Sequence, residues 1–265
     1  MQQLDAVLVK TSLVDYPERV AAACFLRGCN LRCPYCYNTE LVKPSEASQA
    51  QDAGARRPND QPQFVSIQDI IAHLKKRANV LSGFVISGGE PLCHPDIVRD
   101  LILEARSLGY KIKLDTNGMF PDRLQKLLDA PAARPDYIAL DVKTSPARYN
   151  ELQASAKASQ VQEAAAESLA CDSSSKKIID SIKIVSGLPA DAREFRTVLY
   201  PPLVGEKEIK EIASVLPKDA RWYFAHFLNG RCLNPDAEKI VPYDEKTEAG
   251  LVELARATVP GASLR

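Results

Sequence analysis

Short apolar runs alternate along this chain with stretches whose apolar residues recur at helical spacing. Residues 19–26 (RVAAACFL) form an apolar run closing at Gly28, the pattern of a buried strand. Behind Ser66, a plausible cap, Ile67, Ile70, Ile71 and Leu74 recur as one face of a helix. Residues 84–87 (FVIS) then read as a buried strand ending in Gly-Gly. The alternation continues with a helix from about 95 to 108, a strand at 110–114, a helix from about 122 to 128 and a strand at 137–142. Residues 176–188 (KKIIDSIKIVSGL) place Ile178, Ile182 and Val185 on one helical face, while their β-branched content also permits a strand. A strand at 193–201, a helix over 206–216, a strand at 221–228 and a last amphipathic helix over 245–257 complete the pattern. Strands and helices repeating at this pitch predict βαβ units with parallel strands, in an α/β fold. Six such units predict an open partial TIM barrel, (β/α)6.

Two stretches break the pattern. Residues 45–63 contain no large apolar residue and several breakers, so they are expected to form an exposed insertion. Residues 153–176 favour helix by their alanine and glutamate but offer little beyond Val161 and Leu169 to a core, so a second, partly helical insertion is expected there. No internal repeat stands out beyond the alternation, and the chain reads as a single domain over 1–265 carrying these two insertions.

Composition narrows the function. Lys plus Arg equals Asp plus Glu at 34 each, so no basic excess points to nucleic acid as a partner. No run of about 18 uncharged apolar residues occurs, and the first residues lack the pattern of a secretory signal. These features predict a cytoplasmic protein with no membrane partner. Seven cysteines, three of them in one loop, do not suit a secreted disulfide framework. Cys24, Cys93, Cys171 and Cys232 are scattered and read as buried or half-buried thiols.

The candidate chemistry collects after the strands. GCNLRCPYC sets Cys29, Cys33 and Cys36 at intervals of four and three residues in one short loop. A tetrahedral zinc site would want a fourth ligand. A cubane iron-sulfur cluster held by three cysteines leaves one iron open to a chelating small molecule. The second strand ends in SGGEP, with Gly88, Gly89 and Glu90; the third in DTNG, with Asp115, Thr116 and Asn117; the fourth in DVK, with Asp141 and Lys143. Active sites of parallel α/β folds gather at these C-terminal strand ends. Plain readings stand beside the functional ones. Gly-Gly-Glu-Pro is a turn signal, Asp-Thr-Asn-Gly suits an Asx-type turn, and Asp141 and Lys143, two apart on a strand, share a face and can pair with each other.

The pattern C-x3-C-x2-C with Tyr35 before its last cysteine resembles the signature of the radical S-adenosylmethionine (SAM) enzymes. TSLVDYPERVAAACFLRGCN upstream and CYNTEL downstream resemble more narrowly the glycyl-radical-enzyme activases, especially those of anaerobic ribonucleoside-triphosphate reductase, and the similarity runs with gaps from about Thr11 to the segment near Cys232. The resemblance implies a [4Fe-4S] cluster on Cys29, Cys33 and Cys36 and reductive cleavage of SAM to a 5′-deoxyadenosyl radical. It implies that Tyr35 flanks the adenine and that Gly88, Gly89 and Glu90 bind the amino group of SAM. By the same resemblance Asp115 and Asp141 hold a monovalent cation beside SAM, Thr116 and Asn117 belong with them, and Lys143 faces the cofactor. Arg196 matches an arginine that contacts SAM in activases, and His226, the one histidine on the right rim, is a candidate cofactor contact with a structural role as its alternative. The resemblance favours helix for 176–188.

The resemblance further implies a protein substrate, a glycyl-radical enzyme, with a flavodoxin or ferredoxin as electron donor. Three alternatives remain open from the sequence. The radical chemistry could act on a small molecule or a peptide, the partner could be a pyruvate formate-lyase-like enzyme, or the cysteines could serve a zinc-binding interaction module.

Overall fold

Residues Ala21–Leu26 form a strand because five of the six are buried, and the sixth, Phe25, packs on a cluster of Tyr16, Ala21, Ala23, Val85 and Tyr137. A computed structural model of the chain describes residues 4–42, 63–153 and 163–265, with backbone alone for 163–172. The described residues form two compact units, between which the chain passes several times.

The first unit carries five strands in the order β3, β1, β2, β4, β5. They are β1 (Asp5–Ser12), β2 (Ala21–Leu26), β3 (Phe64–Ser66), β4 (Gly83–Gly88) and β5 (Lys111–Thr116). β2, β4 and β5 are parallel, whereas β1 runs antiparallel to both β2 and β3. The β2–β4 register sets Leu26 opposite Gly88, so the two strands end level. Helix α1 (Thr39–Val42) follows the cysteine loop, and α2 (Ile67–Arg77) and α3 (Pro95–Ser107) supply the crossovers. Ser66 caps α2 as expected: its Oγ accepts the N–H of Asp69 while the Asp69 carboxylate accepts the N–H of Ser66. Helix α4 (Pro121–Asp129) leads from β5 towards the next strand.

The second unit carries β6 (Tyr137–Asp141), β7 (Arg193–Leu199), β8 (Trp222–His226) and β9 (Ala262–Leu264), with β6 to β9 parallel throughout. Its helices are α5 (Glu163–Ser186), α6 (Glu206–Val215) and α7 (Glu245–Arg256). Ile178, Ile182 and Val185 are buried on one face of α5, which settles the helix reading for that stretch. Among the described residues β3 pairs only with β1, and β9 only with β8, so each unit has an edge strand.

The six expected parallel strands are present as β2, β4, β5, β6, β7 and β8. β1, β3 and β9 were not expected: β1 is half exposed, and the other two are three residues long. The first expected insertion lies outside the described residues apart from residue 63. The second, expected to be partly helical, lies outside the described residues over 154–162 and is helical from 163 onward. Gln153 bridges to Leu31, and 163–176 is the beginning of the 24-residue α5. Among the described residues no helix is long and apolar enough to cross a membrane.

Candidate active site

In the first unit the site is shaped by backbone packing. β2 runs out through Gly28, at φ +102°, into Cys29. Opposite, Gly89 N–H donates to the Leu26 carbonyl at 3.0 Å and Glu90 N–H to the Gly28 carbonyl at 2.7 Å. A Cβ on Gly89 would lie 2.2 Å from the Gly28 oxygen and 3.1 Å from the Cys29 Cβ, and one on Gly88, whose φ is +136°, 2.3 Å from the Leu26 backbone. The two glycines therefore let one strand end lie directly on the backbone that delivers Cys29. His94 supports the same turn, its Nε2 lying 2.9 Å from the Arg27 carbonyl.

Glu90 is wholly buried. Its Oε1 accepts the Leu92 N–H at 2.9 Å and the Thr116 hydroxyl at 2.8 Å, so the carboxylate ties the loop after β4 to the end of β5. Asp115 faces the same way as Lys113, two residues earlier on β5. The buried Lys113 ammonium lies 2.9 Å from Asp115 Oδ1 and donates a hydrogen bond to the Asp15 carbonyl at 2.8 Å. The contact with Asp115 is a charge pairing outside hydrogen-bond alignment; the aligned bond is the one to Asp15.

In the second unit the site is shaped by charge. Asp141, at the end of β6, accepts Arg196 Nε at 2.7 Å and meets Lys143 Nζ at 3.3 Å. The register that sets Asp141 opposite Arg196 brings the first pair together. Burial alone would raise the Asp141 carboxyl, but Arg196 and Lys143 outweigh it and pull its pKa down to about 2. Burial works against the Lys143 charge too, yet Asp141 first, then Cys33 and Tyr35, hold that amine well above its ordinary range. The Tyr149 hydroxyl accepts the Lys143 N–H at 2.9 Å and donates to the Asp141 carbonyl at 3.3 Å, bracing the DVK turn.

Cys33 and Tyr35 are buried beside this network. Burial foremost, and then Cys33, push the Tyr35 phenol well above its usual range. The Tyr35 ring packs on Tyr200 at 4.9 Å, and Tyr200 on Phe227 at 4.8 Å. Asn234 N–H donates to the Pro34 carbonyl at 3.0 Å, and the Tyr37 hydroxyl lies within hydrogen-bond reach of both the N–H and the carbonyl of Leu228. The segment after β8, with Cys232 in it, is thus pinned along the cysteine loop.

Other expected contacts have local partners. Asn117 Oδ1 accepts the Met119 N–H at 3.0 Å, an Asx-type turn. His226 Nδ1 lies 2.6 Å from Oε2 of Glu248, a buried carboxylate on α7. Lys113, Tyr149, Glu248 and His94 were not singled out by the sequence reading.

The residues present fit the implied cluster and SAM. Cys29, Cys33 and Cys36 are thiols rather than disulfides, and Cys29 and Cys36 are partly exposed. The hydroxyl of Tyr35 is buried with no hydrogen-bond partner among the described residues, a polar atom left for a ligand. Among the described residues no three histidine, cysteine or carboxylate side chains converge on a single metal ion. A cubane makes no such demand, because each thiolate takes a different iron.

Known proteins resemble this chain in sequence and in fold. The chain is 29% identical over 226 residues to a candidate glycyl-radical enzyme activating enzyme of Methanocaldococcus jannaschii, covering 84% of this chain and 79% of that protein. It is 30% identical over 125 residues to the 7-carboxy-7-deazaguanine synthase of Methanopyrus kandleri, covering 44% of this chain and 46% of that protein. Its fold is shared with Streptococcus suis SuiB bound to S-adenosylmethionine, at TM-score 0.53 and 16% identity, over 89% of this chain and 47% of that one. The profile of the Radical SAM superfamily matches residues 24–179, more than half of the chain. The chain therefore belongs to the radical SAM superfamily and is an enzyme of radical chemistry.

Proposed function

We propose that this enzyme installs a glycyl radical on a partner protein, an enzyme of the anaerobic ribonucleotide reductase type, and acts as a single radical SAM domain. One observation carries the reading: similarity to the candidate activating enzyme runs through most of both chains, whereas similarity to the deazaguanine synthase stops below half of either. The exposed end of the SLVDYP segment supports a protein substrate. Ser12 Oγ accepts the N–H groups of Val14 and Asp15, and that turn leaves Leu13 and Val14 75% and 84% exposed.

When bound, the cluster and SAM would supply a 5′-deoxyadenosyl radical able to take hydrogen from a glycine Cα. Cys29, Cys33 and Cys36 would hold the cluster. Tyr35, itself held by Tyr200, would lie against the adenine with its phenol protonated. Lys143 and Arg196, both paired with Asp141, would orient the anionic end of SAM. Gly88 and Gly89 keep backbone close to Cys29, and Glu90 and Thr116 lock that geometry from inside. His226, oriented by Glu248, is proposed as a further cofactor contact. A flavodoxin or ferredoxin would deliver the electron, in the cytoplasm.

Incubating the reduced, cluster-loaded enzyme with SAM and the reductase is expected to give a protein-centred doublet by electron paramagnetic resonance. SAM cleavage with no such signal, on the reductase or on a pyruvate formate-lyase-like partner, would refute the activase reading. The synthase similarity favours a second reading, a small-molecule substrate. Turnover of a purine-like metabolite without any partner protein would favour it.

A further inference from the structure

We propose that this enzyme binds SAM without a monovalent metal cation, because the ammonium of Lys113 occupies the place beside Asp115 that the resemblance reserves for one. The binding of SAM it addresses rests on superfamily membership, and the cation it argues against is the one the activase resemblance implies. Asp115 is the carboxylate a cation would need, and Lys113 Nζ already lies 2.9 Å from its Oδ1. The Lys113 side chain is 3% exposed, so water does not screen the pair.

Nor is the ammonium there by chance of side-chain flexibility. It is tied by a 2.8 Å hydrogen bond to the Asp15 carbonyl, in a segment whose turn is fixed by Ser12 and whose Tyr16 packs on Tyr137. Asp115 supplies the counter-charge 2.9 Å from this buried ammonium. A second cation at the same carboxylate would sit within a few ångströms of the ammonium and be repelled.

The other carboxylate of the expected cation pair is engaged in the same way. Asp141 is neutralised by Arg196 at 2.7 Å and meets Lys143 at 3.3 Å. Each aspartate therefore has a cationic partner built into the chain. Both carboxylates of the expected cation pair thus already have a cationic neighbour within the described residues, and Lys113 acts as a positioning residue for Asp115.

The experiment is a SAM titration of the cluster-loaded enzyme, read as a dissociation constant in potassium, sodium and choline chloride at equal ionic strength. Choline is too bulky to replace a coordinated ion. The wild type is expected to differ by less than about threefold across the three salts. Lys113→Met, which removes the ammonium beside Asp115, is expected to lose about tenfold or more in choline and to recover most of that in potassium or sodium. Lys113→Met/Asp115→Asn, neutral at both positions, is expected to lose the salt response. A wild-type affinity that falls by more than about threefold in choline and returns with potassium overturns the proposal. So does a Lys113→Met variant that is unaffected in choline or equally weakened in every salt. Should that variant not fold, the wild-type comparison alone decides.

Discussion

In the first unit, Gly88, Gly89 and Glu90 are fixed by backbone contact and by one buried carboxylate shared between a threonine hydroxyl and a backbone N–H. In the second, Asp141, Lys143 and Arg196 are fixed by charges whose side chains are 29%, 20% and 29% exposed. The difference has a functional sense. Backbone packing gives a rigid geometry with no adjustable part, as suits the turn that delivers Cys29. A half-exposed ion network can redirect its cations when an anionic ligand arrives, because each charge keeps some access to solvent. The two carboxylates first taken together show the same contrast. Asp115 faces an ammonium sealed from water, whereas Asp141 shares two cations at an open rim.

Breaking the packed rim is expected to cost most. Gly89→Ala places a methyl 2.2 Å from a carbonyl oxygen that cannot rotate away, and should lower stability by about 3 kcal/mol or more. Thermal unfolding of the cluster-free protein measures it.

Breaking the charged rim should cost less, on the order of 2 kcal/mol for Asp141→Asn, since the stranded cations retain partial solvation. Asp141 titrates near 2 in the folded protein, below its unfolded value, so its stabilisation is complete above the ordinary carboxylate range and is lost as pH falls from about 4 towards 2. Unfolding curves across that window should show the wild type losing an increment that Asp141→Asn does not lose.

Thr116→Val removes one hydrogen bond to the buried Glu90 and should cost about 1–2 kcal/mol, measured by denaturant midpoint. Tyr35→Phe removes a buried hydroxyl that has no hydrogen-bond partner among the described residues, so its stability should stay within about 0.5 kcal/mol of the wild type or rise. A large loss there would mean that the hydroxyl supports the fold, and the charged rim would need redrawing.

The main architecture was legible because βαβ alternation writes itself as alternating periods, and the chemical motifs were legible because they follow the strands. What was missed has physical causes. β1 shows half its residues to solvent and pairs antiparallel at the margin, so it lacks the uniform burial that marks β2. The role of Gly88 and Gly89 depends on Leu26 and Gly28, which only the β2–β4 register places opposite them. Lys113 was legible: two residues before Asp115 on a strand, it must share that face, by the same rule that paired Asp141 with Lys143. Glu248 looked like one more acidic residue in the first turn of a helix, and nothing in sequence ties it to His226.

The account depends on Cys29, Cys33 and Cys36 holding one cluster that cleaves SAM, and anaerobic reconstitution followed by iron and sulfide analysis and a SAM-cleavage assay tests that most directly. The wild type should take up about four irons and four sulfides per chain and yield 5′-deoxyadenosine, while Cys33→Ala loses that cleavage. A colourless wild type holding zinc, or full cleavage by Cys33→Ala, would contradict it.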